Sequence, residues 1–523
     1  MLVRTLAFVI CTALLAAGEI GPAPDRSGIA PLAGAGSRLG INLDGIADWN
    51  SELPFVDLMH LGRPWISQQQ GKPWGKGPEL QLDAAGWVQR LEPGCRAEQI
   101  LLTNASPEQV PPGEFVLLWQ GDGDLALGNA DIVASSAGRI AFRPKGQFFL
   151  QITRVNADNP PRDIRVLLPG HEQDHQRQVF RPGFLERWRG FGILRFMDWM
   201  HTNGSEIARW EDYPTPAAWR WNRVPVPVMT DLCNRLGAEP WFCMPHLADD
   251  AFVRSFAAQV KETLDPRLRV HVEFSNEVWN GMFAQSRWAE QQAVADPRWK
   301  GLKPWEAKAL YFAQRSLQIF RIWREVLGRE RVVGVLAWQA ASGEYWLDGR
   351  LLGVDGVAAE TDALAIAPYM TMCVPAKAGK AGGLDAATVA GWNVGQVLDH
   401  VETQALPQCI GWMRTAAAVA AKHKVQLLAY EGGQHLVGVQ GGENDEAMTR
   451  LFHAANRDPR MGSLYTRYLD AWKEVGGGAF CLFASCGRPS KWGSWGLMEA
   501  WNQPVDAAPK LQAVLAWMRA HPR

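Results

Sequence analysis

Eight short apolar runs, separated for the most part by helical patterns, constrain this chain more than any other feature. They are LGINL (39–43), ILRFM (193–197), EPWFCM (239–244), RVHVEF (269–274), VVGVLAW (332–338), ALAIAPY (363–369), VQLLAY (425–430) and GAFCLF (478–483). Each is rich in β-branched or aromatic residues, short, and bounded by breakers, the pattern of a buried strand. Between them, DDAFVRSFAAQVKETLDP sets Phe252, Phe256, Val260 and Leu264 at four-residue steps in one apolar stripe. Asp249 or Asp250 can cap the start of that helix, and Pro266 stops it. Residues 305–327 read as a longer helix ending at Gly328, residues 410–423 as another, and DAAPKLQAVLAWMRA as a closing helix. Strand and helix alternating eight times predicts an α/β chain folded as a parallel (β/α)₈ TIM barrel. A doubly wound open sheet is the rival, weakened because no Gly-rich phosphate loop follows the first strand.

One interval breaks the alternation. Between the first and second strands, GEFVLLWQ, DIVASSAGRIAFRP, QFFLQITRV and IRVLLPG read as short strands with frequent Gly and Pro. Residues 66–170 are therefore expected to form a β-sandwich-like insertion, leaving 39–65 and 171–523 for the barrel. The insertion has two readings, a carbohydrate-binding module and a stabilising lid or flap.

The N-terminus, MLVRTLAFVICTALLAAGEIGPA, has a positive Arg4, an apolar stretch over residues 5–17 and small residues around Ala16–Gly18. That is the pattern of a secretory signal over residues 1–18, followed by a Gly/Pro/Ala-rich linker over 19–38. The mature chain is expected to be secreted or periplasmic, a monomer, and off the membrane once the signal is removed. With 53 Lys+Arg against 54 Asp+Glu, nothing electrostatic points to nucleic acid. Cys11 would leave with the signal, so an odd seven of the eight cysteines remain. No CxxC spacing suggests a zinc ribbon, and Cys373–Cys409 is one conceivable disulfide.

In a barrel of this kind the chemistry sits at the C-terminal ends of the strands. The fourth strand ends on Asn276-Glu277 and the seventh on Glu431, followed by Gly432 and Gly433. The second ends near Arg195 and Asp198, the third at His246 and the sixth at Tyr369; past the eighth come Trp492 and Trp495. Two glutamates at strand ends four and seven can converge across the barrel mouth. Retaining glycoside hydrolysis needs this, with carboxyls about 5–5.5 Å apart. One attacks the sugar; the other stays protonated near neutral pH because its neighbour's negative charge raises its pKa. The chain also carries 25 Trp beside only 7 Tyr. Most of these indoles fill the core, but an exposed one offers a flat apolar face to a sugar ring.

VEFSNEVWN, followed farther along by LLAYEGG, resembles the retaining (β/α)₈ glycoside hydrolases, the clan typified by cellulases and mannanases. The resemblance covers residues 39–523 apart from the insertion. It implies that Glu277 is the acid/base, Glu431 the nucleophile, and Asn276 a hydrogen-bond partner of the sugar 2-hydroxyl. It further implies that Arg195, His246 and Tyr369 stand near the two acids, and that Trp492 or Trp495 floors the cleavage subsite. LRFMDWMHTN, FSNEVWN and GSWGLME also look like a group of large exported bacterial proteins loosely described as cellulose-binding.

Each candidate has a bland reading. Glu277 can be a capping loop acid, Arg195 can pair with Asp198, His246 can be a core histidine, and Trp279 can simply pack. HEQDH (171–175) matches the H-E-x-x-H zinc pattern, but Pro169-Gly170 and Pro182-Gly183 leave little room for a helix, and a polar loop is preferred. No metal or organic cofactor is expected. A Ser nucleophile elbow is absent. The function expected is β-linked poly- or oligosaccharide hydrolysis; the alternative is a non-catalytic carbohydrate-binding protein on the same scaffold.

Overall fold

The structure, a computed structural model, describes residues 37–379 and 382–522. The expected signal and all but the end of the expected linker lie outside these residues. Eight parallel strands close a barrel in chain order: β1 (Ser37–Asn42), β2 (Phe191–Arg195), β3 (Glu239–Met244), β4 (Val270–Phe274), β5 (Val332–Ala337), β6 (Ala363–Ile366), β7 (Gln426–Ala429) and β8 (Phe480–Leu482). Ile41 of β1 pairs with Leu194 of β2 on one side and Leu482 of β8 on the other, so the sheet has no free edge. All eight apolar runs become strands of this barrel, differing from the sequence reading mainly at their ends.

The alternation of side chains explains the composition of these runs. Ile193, Trp241, Cys243, Val335, Ala365, Tyr430 and Cys481 form a separate cluster inside the barrel. Their neighbours Leu194, Phe242, Val272, Leu336, Leu364 and Leu482 belong to the larger core beneath the helices. A strand buried on both faces has no polar face to show, hence the unbroken apolar runs. The exceptions are buried polar groups: His271 Nε2 lies 2.8 Å from Glu239 Oε2, and Arg195 and Glu273 pair above them toward the barrel mouth.

The helices form where the apolar stripes placed them. Asp249, not Asp250, caps Asp250–Thr263 by accepting from the Phe252 amide, and Phe252, Phe256 and Val260 are buried. The long helix is Pro304–Leu327, stopped by Gly328 at φ 90°, and the helix expected over 410–423 runs Leu406–His423, starting earlier than the pattern suggested.

Between β1 and β2, six antiparallel strands make one sheet: Ile66–Gln69, Cys95–Leu101, Phe115–Gln120, Gly123–Ser136, Arg139–Val155 and Arg162–Leu167. The hairpin of the two longest strands contains a bulge, with Gly128 opposite Phe149 but Ala130 opposite Pro144. On its other edge the strand Arg139–Val155 pairs with Phe115–Leu118 before the bulge and with Ala97–Leu101 after it. One strand thus serves two partners, and the sheet bends around Phe115, Phe142 and Phe148. The insertion holds on to the loop after β8: Trp501 Nε1 donates to the Gln109 carbonyl at 2.8 Å, and Asn502 Nδ2 to that of Glu108 at 2.7 Å.

The conceivable Cys373–Cys409 disulfide is not formed. Cys409 is buried in its helix and donates to the Pro368 carbonyl at 2.7 Å, whereas Cys373 is exposed with its Sγ 3.1 Å from His435 Nδ1. Each sulfur is committed to a different neighbour, and all seven cysteines among the described residues are free thiols.

Candidate active site

The barrel mouth is organised around Arg195, the fully buried last residue of β2. Its Nη1 donates to Asn42 Oδ1 at 2.9 Å and to Glu431 Oε1 at 2.8 Å. Its Nη2 donates to Asn276 Oδ1 at 2.8 Å and to Glu273 Oε2 at 2.9 Å, and its Nε also reaches Glu273. One side chain thereby ties β2 to residues of β1 and β4 and to those just past β4 and β7. Burial works against the guanidinium charge, but neighbouring acids including Glu273 and Glu431 outweigh it and hold the pKa well above the ordinary arginine value. The ion pair with Asp198 considered from the sequence is replaced by these two. Asp198 lies in the turn beyond β2, while the guanidinium points into the barrel, where fork-shaped donors meet two carboxylates.

A prediction follows at once. Arg195→Met leaves Glu273 buried with only Trp241 Nε1 and the Cys243 thiol as donors. An uncompensated buried charge costs about 3–5 kcal/mol, so the unfolding free energy from urea titration is expected to fall by that amount, with the midpoint at lower urea. Arg195→Lys restores little of it, because an ammonium cannot reproduce the paired hydrogen bonds.

Glu431 is the second residue past β7, and the chain leaves it through Gly432. A Cβ at Gly432 would stand 2.4 Å from both Phe480 Cζ and the Tyr468 hydroxyl, so only glycine lets the backbone pass this close to β8. Both carboxyl oxygens of Glu431 have donors: Arg195 on Oε1 and the Tyr369 hydroxyl on Oε2 at 3.0 Å. Across the mouth, Ser275 and Glu277 adopt φ 59° and 43°, in the left-handed region that side chains usually avoid. Asn280 Nδ2 donates to Glu277 Oε2 at 2.9 Å, and the Tyr430 hydroxyl sits 3.5 Å from Oε1. Trp279 Nε1 in turn donates to the Tyr430 oxygen at 3.3 Å, so this indole steadies the site as well as packing. Burial first, and then the negative charge of Glu431, push the Glu277 carboxyl up to about 8. The two acids therefore sense each other across one pocket. Asn276 is held from two sides, by Arg195 on Oδ1 and by Asn203 Oδ1, which accepts from Asn276 Nδ2 at 3.1 Å.

The pocket opens into a cleft of about 820 Å³ walled by Glu277, Tyr369, Trp279, Trp412, Trp492 and Trp495. Trp492 is 62% exposed, while Trp495 sets its ring edge-on to Tyr369 with centroids 5.8 Å apart. The loop bearing both is pinned at the Ser494 carbonyl, which accepts from Gln434 Nε2 at 2.7 Å and from buried Lys510 Nζ at 2.6 Å.

Of the residues singled out from the sequence, Glu277, Glu431, Asn276, Arg195, Tyr369, Trp492 and Trp495 are brought together. His246 is not among the residues walling the cleft and makes no hydrogen bond to either acid. Its ring packs edge-on against Trp288 of the helix Ala284–Ala295, and burial lowers its pKa to about 4, leaving it neutral. HEQDH forms turns, with Glu172 gripped by Arg139 at 2.7 and 3.0 Å and His171 Nδ1 3.0 Å from Asp174. Sequence reasoning missed Asn42, Glu273 and Tyr430. Glu273 left a trace, an acid inside a mostly apolar strand that ends beside the catalytic candidate.

Neither a protein-family model nor a curated protein matches this chain. Among solved structures, it is similar to a 4-O-α-L-rhamnosyl-β-D-glucuronidase from Fusarium oxysporum, at 12% identity and TM-score 0.37 over 64% of this chain and 63% of that one. It is also similar to a β-glycosidase from Thermosphaera aggregans, at 12% identity and TM-score 0.35 over 63% and 82% of the two chains. A modular endo-β-1,4-mannanase from Cellulomonas fimi gives 11% identity and TM-score 0.32 over 62% of each. The matches thus span less than two thirds of the Fusarium and Cellulomonas chains. Likenesses of this size carry no argument about activity.

Proposed function

We propose that this chain is an exported retaining glycoside hydrolase acting on a β-linked poly- or oligosaccharide, with Glu277 as acid/base and Glu431 as nucleophile. The observation that carries the reading is the pair itself: buried Glu431 and cleft-lining Glu277, far apart in sequence, with the Glu277 pKa raised first by desolvation and then by the charge of Glu431. Glu431, given hydrogen bonds on both oxygens, is kept in one orientation for attack on the anomeric carbon. Glu277, protonated up to about pH 8, gives its proton to the departing glycosidic oxygen as the carbon–oxygen bond breaks. The glycosyl-enzyme ester then has no charge at Glu431. With that charge gone, the Glu277 pKa falls, and it takes a proton from water as the water attacks and releases Glu431.

Arg195 meets the negative charge on Glu431 before and after the covalent step, and Tyr369 donates to the oxygen opposite. Asn276, steadied by Arg195 and Asn203, supplies an amide to the hydroxyl next to the reacting carbon. The indoles of the cleft wall offer faces for sugar rings.

The test is product analysis on β-1,4-linked glucan, mannan and xylan oligosaccharides, with proton NMR following the first-formed anomer. Cleavage with the β-anomer appearing first supports the reading. An α-anomer first, or no cleavage of any of the three, overturns it.

A further inference from the structure

Gln285, the second residue of the helix Ala284–Ala295, is fully buried, and both ends of its amide are engaged. Its Oε1 accepts from the Gly204 amide at 3.0 Å. Its Nε2 donates to the Asn276 carbonyl at 2.8 Å and to Asn203 Oδ1 at 2.6 Å. A buried primary amide is unfavourable unless its polar atoms find partners, and here the loops after β2 and β4 supply three. The carbonyl it holds lies between Ser275 at φ 59° and Glu277 at φ 43°, so the same bond braces the left-handed kink that carries the acid/base candidate.

The chemistry of these partners leaves Gln285 one orientation. A backbone N–H only donates and a backbone carbonyl only accepts, so the oxygen of Gln285 faces Gly204 and its nitrogen faces Asn276. With the nitrogen so placed, Asn203 must turn its own oxygen toward Gln285. That oxygen also accepts from Asn276 Nδ2 at 3.1 Å, which uses both of its lone pairs. On the far side of Asn276 stands a guanidinium, which has only donors, so Asn276 Oδ1 faces Arg195 Nη2 at 2.8 Å. The Asn276 amide is thus set from both ends. Its Nδ2 carries a second hydrogen with no further acceptor among the described residues.

Resting on the function proposed above, we infer that Gln285 is a positioning residue for the reaction: through Asn203 it sets which way round the Asn276 amide lies, and so keeps one N–H aimed at the hydroxyl beside the reacting carbon. Fully buried, Gln285 does not touch the substrate. It acts as the fixed end of a relay of three amides whose polarity is copied from two backbone groups. With the relay cut, Asn203 is free to turn its nitrogen toward Asn276, where two donors repel. Asn276 is then held by Arg195 alone, and its amide swings away from the sugar.

The experiment compares kcat/KM for 4-nitrophenyl β-glycosides with and without the 2-hydroxyl, in the glucose, mannose and xylose series. In the wild type the 2-hydroxy substrate of the accepted series is expected to exceed its 2-deoxy partner by about 10²-fold, the scale on which one transition-state donor is felt. Gln285→Met is expected to cut that ratio about tenfold, while the 2-deoxy substrate, which gives Asn276 nothing to hold, loses much less. Should that variant fail to fold, the half-buried Asn203 tests the same relay one link on. Asn203→Leu is expected to lower the ratio alike, and Asn203→Asp, whose carboxylate still accepts from both neighbours, to recover most of it. A wild-type ratio near one, an equal loss on both substrates in the variants, or a ratio they leave unmoved overturns the positioning role alone. No turnover of any 2-hydroxy substrate overturns the hydrolase reading and the positioning role with it.

Discussion

Glu431→Ala is expected to lower turnover of a 4-nitrophenyl β-glycoside by about 10⁴-fold or more, the scale on which loss of a covalent nucleophile is felt. The fold should survive, because Arg195 keeps Glu273 as a bidentate partner when Glu431 is gone. The diagnostic measurement is rescue. Azide, small enough for the space the side chain vacates, is expected to restore cleavage and to yield the α-glycosyl azide. An alanine variant with wild-type activity, or rescue that gives a β-azide, removes Glu431 from the nucleophile's role.

Glu277→Gln is the second large effect, and its signature is a pH profile. In the wild type the donor is protonated below about pH 8 and loses its proton as pH rises through that value. The alkaline limb of kcat/KM is therefore expected near pH 8, and the glutamine variant is expected to lack it. General acid–base assistance contributes about 10²–10⁴-fold, so unactivated oligosaccharides should lose about that much. Aryl glycosides lose less in the first step, since a nitrophenolate departs with little help. They then stall at the glycosyl-enzyme, visible as a burst of nitrophenolate. A variant that keeps the alkaline limb shows that another group supplies the proton.

The barrel was legible because strands buried on both faces cannot hide: they must be apolar throughout, and eight such runs interleaved with helical stripes admit few folds. The two glutamates were legible because the fold dictates where strand ends meet. The clamp beneath them was not. Asn42 and Glu273 matter through one guanidinium that reaches four partners, and no local pattern reveals where a long side chain will point. Arg195 itself was noticed, but Asp198 is three positions away in sequence and drew the pairing, while the true partners are 78 and 236 positions away. His246, in the turn after β3, is buried with its ring edge-on to Trp288 of the helix Ala284–Ala295, and no local pattern in the sequence announces that contact.

The knot at Arg195 has a consequence for durability. Most enzymes keep their reactive groups on loops that loosen before the scaffold does, so warmth silences them early. Here the carboxylate proposed to attack the sugar is fastened to the same cation that binds strand ends around the cylinder's rim. The proposed nucleophile and the barrel rim share that fastening, so thermal inactivation and unfolding are expected to run close together.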